Sequence, residues 1–353
     1  MKTLSKIQLC LLLLSSLAAN AQEENSILKD SIWSYSIYKY PCELPLIDSN
    51  SVYLGADVSP ITCLDKKTGK LKWMLDVELA IHKKGFLHTI VGDNKGRIYF
   101  NGTAKNLYAA DKKTGKILWK FDLKFDDDVC TKISLFNDTL FLNPVNPIFI
   151  ALTTAGKVAW ATDLSKFCTG YTMDKSTIFC QLKGGGFCLL SRRNGKLLKF
   201  VSETSRGEVF AHPPKYFDNT IVLGNERDSV RGLDKATFKT LWSLNGAIIQ
   251  CADNEQLYIH NDTLFMKTDP RNGNQLWRIY GDFAWFLQPT VYKSKVYLQT
   301  RHRFYIIDNE TGEILYECPF NHKSYTKPIV ENGIIYLGYA ENYVAVQDPT
   351  EKK

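Results

Sequence analysis

The chain lacks most of the features that mark an enzyme in its sequence. It has no Cys-x-x-Cys pair, and no two of its six histidines lie four residues apart, so the common zinc motifs are absent. A Walker loop, a dinucleotide-binding glycine fingerprint and a nucleophile elbow are also missing. The sequence therefore predicts no catalytic residue, no metal site and no cofactor.

Long apolar runs are equally scarce. After residue 17 no stretch approaches eighteen consecutive apolar residues, so no transmembrane segment is predicted. One short apolar run, residues 9–17, is preceded by Lys2 and Lys6 and followed by Ala19-Asn20-Ala21. This pattern is typical of a cleaved signal peptide, here over residues 1–21. We expect an exported protein that is periplasmic, associated with the outer membrane, or secreted.

The excess of positive charge is small. The formal net charge is +7, and loss of Lys2 and Lys6 with the signal peptide leaves about +5. The cations are scattered through turns such as Lys66-Lys67 and Arg192-Arg193. A solvated rim is the simpler interpretation of this pattern, so no nucleic-acid partner is predicted.

What the chain does contain is a repeat. A segment resembling Leu-Asp-Lys-Lys-Thr-Gly-Lys-x-x-Trp returns about every forty residues, a period typical of β-propeller blades. The clearest copies are residues 64–73 and 110–119. The aspartate-type positions are 65, 111, 152, 191, 234, 269, 308 and 348, and the tryptophan-type positions are 33, 73, 119, 160, 199, 242, 277 and 316. Both series have eight members.

The two ends of the chain hold incomplete copies of this repeat. Trp33 has no inner strands before it, and Val346-Gln347-Asp348 has no outer strand after it. Pairing these ends would complete one blade and remove the open edge of the ring. We therefore predict a single all-β domain over residues 22–353, an eight-bladed β-propeller whose last blade is closed by the N-terminal and C-terminal strands. Seven blades are the alternative, and we expect a monomeric ring.

The repeat has a structural explanation. The Asp carboxylate can accept hydrogen bonds from backbone N–H groups of the turn, and the Gly supplies the positive φ that closes the hairpin. The Trp suits a position between neighbouring blades, with its indole N–H bonded to backbone. The residues assigned to these roles are Asp65, Gly69, Trp73, Asp111, Gly115, Trp119, Trp160, Trp242 and Trp277.

The motif Asp65-x-x-Thr68-Gly69-x-x-x-Trp73 and its counterpart at Asp111 resemble the tryptophan-docking repeat of the pyrroloquinoline-quinone-type (PQQ-like) β-propellers. That superfamily contains quinoprotein alcohol dehydrogenases and a non-catalytic outer-membrane assembly scaffold. The resemblance covers nearly the whole mature chain and implies the propeller fold. It does not choose between enzyme and scaffold, because the motif serves blade packing.

Two repeats depart from the motif. Ser191 and Lys199 replace the Asp and the Trp in the fourth repeat, and Phe238 replaces the Gly in the fifth. These departures are the reason that seven blades remain the alternative.

Candidate ligand-binding residues follow from propeller geometry. Residues just before the first strand of each blade surround one mouth of the central channel. The polar residues at these positions, with one nearby aromatic residue, are Glu43, His88, Lys132, His212, Gln250, Trp285, Gln288 and Lys327. The alternative interpretation is a channel mouth that is merely solvated.

The resemblance to quinoprotein dehydrogenases implies a quinone stacked between a Trp and an adjacent-cysteine disulfide, with calcium held by acidic and amide side chains. This chain has no Cys-Cys dipeptide, and only Glu43, Gln250 and Gln288 are evident oxygen donors at the mouth. We therefore expect a binding or scaffolding protein of the cell envelope, with an envelope protein or peptide as its partner. A PQQ- and calcium-dependent dehydrogenase-like enzyme and a small-ligand or glycan-binding propeller are the alternatives.

Eight cysteines remain after removal of the signal peptide. In an exported protein an even number permits disulfides. Cys180 and Cys188 flank Gly184-Gly185-Gly186, and a hairpin centred on Gly184 would place them opposite each other on adjacent strands. The pair is interpreted either as a disulfide or as two buried thiols.

Overall fold

The architecture is a ring of eight four-stranded antiparallel sheets. A computed structural model describes residues 27–37, 45–56, 59–75, 89–101, 106–123, 130–144, 147–184, 186–201, 213–224, 229–245, 249–253, 256–283, 288–320, 326–339 and 341–351. The prediction of an eight-bladed β-propeller is confirmed, and the seven-bladed alternative is wrong.

The first four blades take their strands in simple chain order. Blade 1 contains β2 (Leu46–Ile47), β3 (Ser51–Ala56), β4 (Ser59–Asp65) and β5 (Leu71–Leu75). Blade 2 contains β6 (Ile90–Gly92), β7 (Arg97–Asn101), β8 (Asn106–Asp111) and β9 (Ile117–Asp122). Blade 3 contains β10 (Cys130–Phe136), β11 (Thr139–Pro144), β12 (Ile148–Thr153) and β13 (Val158–Asp163). Blade 4 contains β14 (Cys168–Met173), β15 (Thr177–Leu182), β16 (Phe187–Ser191) and β17 (Leu197–Val201).

Blades 5 to 7 repeat this order, and blade 8 combines both ends of the chain. Blade 5 contains β18 (Lys215–Phe217), β19 (Thr220–Gly224), β20 (Ser229–Asp234) and β21 (Thr240–Asn245). Blade 6 contains β22 (Ile249–Asp253), β23 (Gln256–His260), β24 (Leu264–Thr268) and β25 (Gln275–Tyr280). Blade 7 contains β26 (Thr290–Tyr292), β27 (Lys295–Gln299), β28 (Arg303–Asp308) and β29 (Ile314–Pro319). Blade 8 contains β30 (Ile329–Glu331), β31 (Ile334–Tyr339), β32 (Asn342–Gln347) and β1 (Ser31–Ser36).

Helical structure in the described residues is limited to short 3₁₀ turns at Ile27–Asp30 and Pro349–Glu351. None of the helices in this part of the chain is long and apolar enough to cross a membrane.

Blade 8 closes the ring. β1 pairs with β32 in antiparallel register, with Trp33 opposite Ala345 and Tyr35 opposite Tyr343. The edge of β32 is thereby covered by a strand from the other end of the chain, as the incomplete copies predicted.

Burial differs between inner and outer strands, and the pattern follows the residue types. In blade 2 the second and third strands, β7 and β8, are buried on both faces over most of their length. Such continuous apolar runs suit strands that lie between two neighbouring sheets. The fourth strand, β9, alternates exposed and half-buried residues because it forms the outer edge of its blade.

The hydrophobic core lies between the blades. Eight clusters of buried side chains are present, and each contains residues of two adjacent blades. One cluster, for example, joins Trp33 and Tyr336 of blade 8 to Val52 and Leu64 of blade 1. Each blade therefore depends on both neighbours to bury its apolar surface.

Candidate functional site

The turn between the third and fourth strands is built on the repeated Asp. In blade 1, Asp65 Oδ1 accepts hydrogen bonds from the backbone N–H groups of Lys67 at 3.1 Å and Thr68 at 3.0 Å, and from the Thr68 hydroxyl at 2.9 Å. These bonds, led by the one from the hydroxyl, hold the pKa of Asp65 below its usual value. The Asp65 carboxylate therefore accepts hydrogen bonds within its own turn.

Each docking Trp reaches across a junction to this turn in the next blade. The Trp73 indole N–H donates to the backbone oxygen of Lys112 at 3.0 Å. The same bond, to the residue that follows the turn Asp or its equivalent, joins Trp33 to Lys66, Trp119 to Thr154, Trp160 to Arg192, Trp242 to Pro270, and Trp277 to Asn309. In blade 3 the equivalent of the turn Asp is Thr153, one residue after the position 152 that the sequence pattern indicated. A fully used indole N–H fixes the distance and angle between neighbouring blades.

The turn Gly makes room for the Trp of the preceding blade. At Gly115, a Cβ would lie 2.7 Å from the Trp73 ring, and φ is +73°. Gly69, Gly156, Gly195, Gly273 and Gly312 contact Trp33, Trp119, Trp160, Trp242 and Trp277 in the same way. Glycine is thus required both for its conformation and for close packing.

The junction of blades 4 and 5 uses a different solution. Lys199 occupies the Trp position of blade 4, and Phe238, at φ +61°, occupies the Gly position of blade 5. The Phe238 ring packs 5.2 Å from the Phe187 ring, and Lys199 Nζ lies 4.3 Å from the centre of the Phe238 ring. The two departures are complementary. At the other junctions the outer strand of one blade supplies the aromatic ring, whereas here the turn of blade 5 supplies it through Phe238 and the outer strand of blade 4 supplies the cation Lys199.

The outer strands expose large apolar side chains around the circumference of the ring. They are Ile32, Leu71, Met74, Ile117, Leu118, Val158, Leu197, Leu198, Phe200, Leu241, Leu276, Tyr280, Ile314 and Leu315. Among the described strands, β17 has the densest set, with Leu197, Leu198 and Phe200 exposed by 48%, 51% and 45%. We call β17 with these three side chains the blade 4 edge.

Among the described strands, the blade 4 edge has one hydrogen-bonded neighbour. β17 pairs with β16 on one side and with no described strand on the other. On that other side, apolar side chains accompany a backbone that no described strand pairs, the combination that receives an added strand in β-augmentation. This strand is the candidate interaction site that sequence reasoning missed. Its signal in the sequence was the apolar set Leu197, Leu198 and Phe200 on the fourth strand of a blade.

The side chains of two of the eight predicted channel-mouth residues are described. Glu43, His88, His212 and Trp285 lie outside the described residues. Lys132 and Gln250 lie on β10 and β22, but their side chains are not among those described. Gln288 is exposed just before β26, and Lys327 is half-buried just before β30. The ligand-binding role of this set remains a prediction.

The predicted cysteine pair lies where the hairpin pattern placed it, but without a bond. Cys180 is directly opposite Cys188 in the register of β15 and β16, and both are free thiols. They are 0% and 1% exposed within an apolar cluster. Burial, together with the neighbouring Cys168 and Cys188 thiols, raises the pKa of Cys180 well above its usual value. The structure therefore has two buried free thiols here, and a disulfide between them stays a prediction.

Acidic side chains of the described residues are not grouped as a metal site. No cluster of three or more His, Cys, Asp or Glu side chains among them is arranged to hold a metal ion. The turn aspartates, the most numerous repeated acids, are bound to their own turns, as at Asp65 and Asp111. These side chains do not provide the oxygen ligands that calcium requires.

A ring of eight four-stranded blades joined by Trp–Gly contacts defines the chain as a PQQ-like β-propeller. The sequence profile of the family described as outer membrane protein assembly factor BamB matches residues 31–125, 58–199, 103–247 and 260–351. The chain belongs to this family. None of the curated proteins matches the sequence at a significant level.

Similar solved structures include both scaffolds and enzymes. BamB from Moraxella catarrhalis shares 12% identity with a TM-score of 0.69, over 90% of this chain and 99% of that one. The computationally designed Ika8 protein shares 13% identity with a TM-score of 0.74, over 90% and 99%. The quinohemoprotein alcohol dehydrogenase ADHIIG from Pseudomonas putida HK5 shares 12% identity with a TM-score of 0.71, over 92% and 76%. At these identities the likeness concerns the fold alone.

Proposed function

We propose that this protein is an exported, non-catalytic propeller that binds a protein partner in the cell envelope, in the manner of an outer-membrane assembly scaffold. The family to which the chain belongs is described as an outer-membrane protein assembly factor, which supports an envelope location and a protein partner. A rigid ring that presents many outer strands suits docking of other chains.

The blade 4 edge carries the proposal. An exposed strand with three large apolar side chains is an aggregation hazard unless it is covered in use. Lys196 and Lys199 are exposed beside these side chains, so the edge favours a segment that carries acidic as well as apolar residues. The proposed occupant is an extended segment of an envelope protein, added to β17 as a fifth strand.

The test compares two matched double variants. Leu197→Glu with Leu198→Glu alters the blade 4 edge, and Ile117→Glu with Leu118→Glu alters the same repeat positions in blade 2, where the native side chains are also exposed. Each variant is expressed in native cells, captured from envelope extracts, and checked by circular dichroism for an intact fold. The envelope protein that copurifies with the wild type should be lost with the blade 4 variant and retained with the blade 2 variant.

Two results would overturn this assignment. If both variants retain the partner, the partner does not dock on β17. A purified wild-type protein that carries no protein partner but turns over an alcohol with added pyrroloquinoline quinone and calcium would replace the scaffold by a dehydrogenase.

A further inference from the structure

A cleft of about 560 Å³ lies between blades 3 and 4. Its walls come from the β10–β11 hairpin and β13 of blade 3, and from the β14–β15 and β16–β17 turns of blade 4. The volume falls within the range of small-ligand sites, about 300–1,000 Å³. Blade 3 contributes three aromatic side chains and blade 4 three cations, namely Phe136, Phe141 and Trp160, and Lys175, Arg192 and Arg193.

The central cation of this cleft departs from a pattern seen at other junctions. Elsewhere the basic residue that follows the turn Asp reaches a carboxylate of the preceding blade. Lys66 Nζ lies 2.5 Å from Glu331, Lys112 Nζ 3.8 Å from Asp48, and Lys235 Nζ 2.5 Å from Asp174. Arg192 holds the same repeat position but meets an aromatic ring, with its Cζ 3.5 Å from the centre of Phe136.

The guanidinium of Arg192 keeps most of its donors available. Its Nη1 donates to the backbone oxygen of Asp174 at 2.8 Å, and its other N–H groups have no partner among the described residues. The Asp174 carboxylate is turned away, because it binds Lys235 and the N–H groups of Ser176 and Thr177. Burial lowers the pKa of Arg192 while the Asp174 charge raises it, yet an arginine stays charged at neutral pH.

The rest of the lining completes an anion site. Lys175 and Arg193 are exposed at the rim and form no ion pair with any described residue. No carboxylate is present among the described lining residues, which include the hydroxyl groups of Thr139 and Ser191 and the amide of Asn137. Three cations with no acid favour an oxyanion, and hydroxyl and amide groups suit a ligand with hydroxyls of its own.

We propose that this cleft binds a small ligand in which an oxyanion, a carboxylate or a phosphate, is attached to a hydroxylated body such as a sugar ring. Arg192 would hold the oxyanion on its planar fork, and Lys175 and Arg193 would attract it at the rim. Phe136 keeps the fork in position by packing on its face. This site shares no residue with the blade 4 edge and does not depend on a protein partner.

Calorimetric titration with three probes tests the site. Glucuronate presents a carboxylate, glucose 6-phosphate a phosphate, and glucose neither. At low salt, where charge attraction is least screened, the intact protein should bind at least one anionic sugar and not glucose. A difference between the two anions identifies which oxyanion fits.

Matched charge variants locate the binding. Lys175→Gln with Arg193→Gln removes two rim cations. Lys67→Gln with Lys113→Gln removes two exposed cations from the turns of blades 1 and 2 that correspond to the Arg193 turn. The first pair should weaken binding by about tenfold or more, and the second by less than twofold. Arg192→Lys keeps the charge but loses the fork, and should also weaken binding by about tenfold.

Any of three results overturns the proposal. The first is that neither anionic sugar binds saturably up to about 10 mM. The second is that glucose binds as tightly as the anionic sugars. The third is that the two pairs of charge variants weaken binding equally. Circular dichroism of each variant separates a loss of binding from a loss of fold.

Discussion

Replacement of Gly115 by alanine tests whether Trp docking holds the blades together. The new Cβ would lie 2.7 Å from Trp73 Cε3 and 2.9 Å from Trp73 Cδ2, at a residue whose φ is +73°. The left-handed conformation costs an alanine about 1–2 kcal/mol, and overpacking against the ring adds about 1–3 kcal/mol. We expect the free energy of unfolding to fall by about 2–5 kcal/mol in total.

Gly96→Ala provides the control, because Gly96 has φ +82° and no atom within 4 Å of a Cβ. This variant should lose only the conformational part, about 1–2 kcal/mol. Guanidinium titration of both variants measures the difference directly. In a Trp73→Ala background the packing part should vanish, so that Gly115→Ala then costs no more than the control. Equal losses for the two glycines in the native background would refute Trp–Gly docking as a source of stability.

Three further predictions concern other parts of the ring. At the blade 4–5 junction, Phe238→Gly empties an aromatic site, which costs about 3 kcal/mol, but relieves a φ of +61°, which returns about 1–2 kcal/mol. The net loss should be about 1–2 kcal/mol, and Lys199→Trp added to it should recover at least half. No recovery in a guanidinium titration would show that the two positions are not exchanged partners. Asp65 and similar turn aspartates have a lowered pKa in the folded state. Their stabilising effect is therefore complete above the pKa of the unfolded chain, about 4, and is lost as the pH falls through the lower pKa of the folded protein. Urea midpoints that do not fall between about pH 5 and pH 3 would contradict this. Cys180 and Cys188 should react with a thiol reagent only after the protein is denatured, and that reaction should need no reductant. A requirement for reductant would reveal a disulfide.

The blade count and the closure were predictable because they depend on local signals that repeat. Each Asp-x-x-Thr-Gly turn closes its own hairpin, and Trp33 keeps the same period as Trp73. The pairing of β1 with β32 then follows from the cost of an open sheet edge.

What the sequence did not reveal depends on contacts between blades. In the sequence, Phe238 is only a departure from the Gly of the repeat. The structure shows that its ring lies beneath Lys199 of the preceding blade. Arg192 resembles Lys112 in its repeat position, and only the structure shows that its neighbour is Phe136 where Lys112 has Asp48. The repeat pairs these positions, but it does not state which contact the substituted residues make there.

A site-specific photo-crosslink tests the central claim most directly. A photoreactive phenylalanine analogue is placed at Leu198 on the blade 4 edge or at Leu118, which is exposed at the same repeat position of blade 2. In native cells under illumination, position 198 should form one discrete product with an envelope protein, and position 118 should not. No product from position 198, or the same product from both positions, would contradict the proposal that β17 is the docking strand.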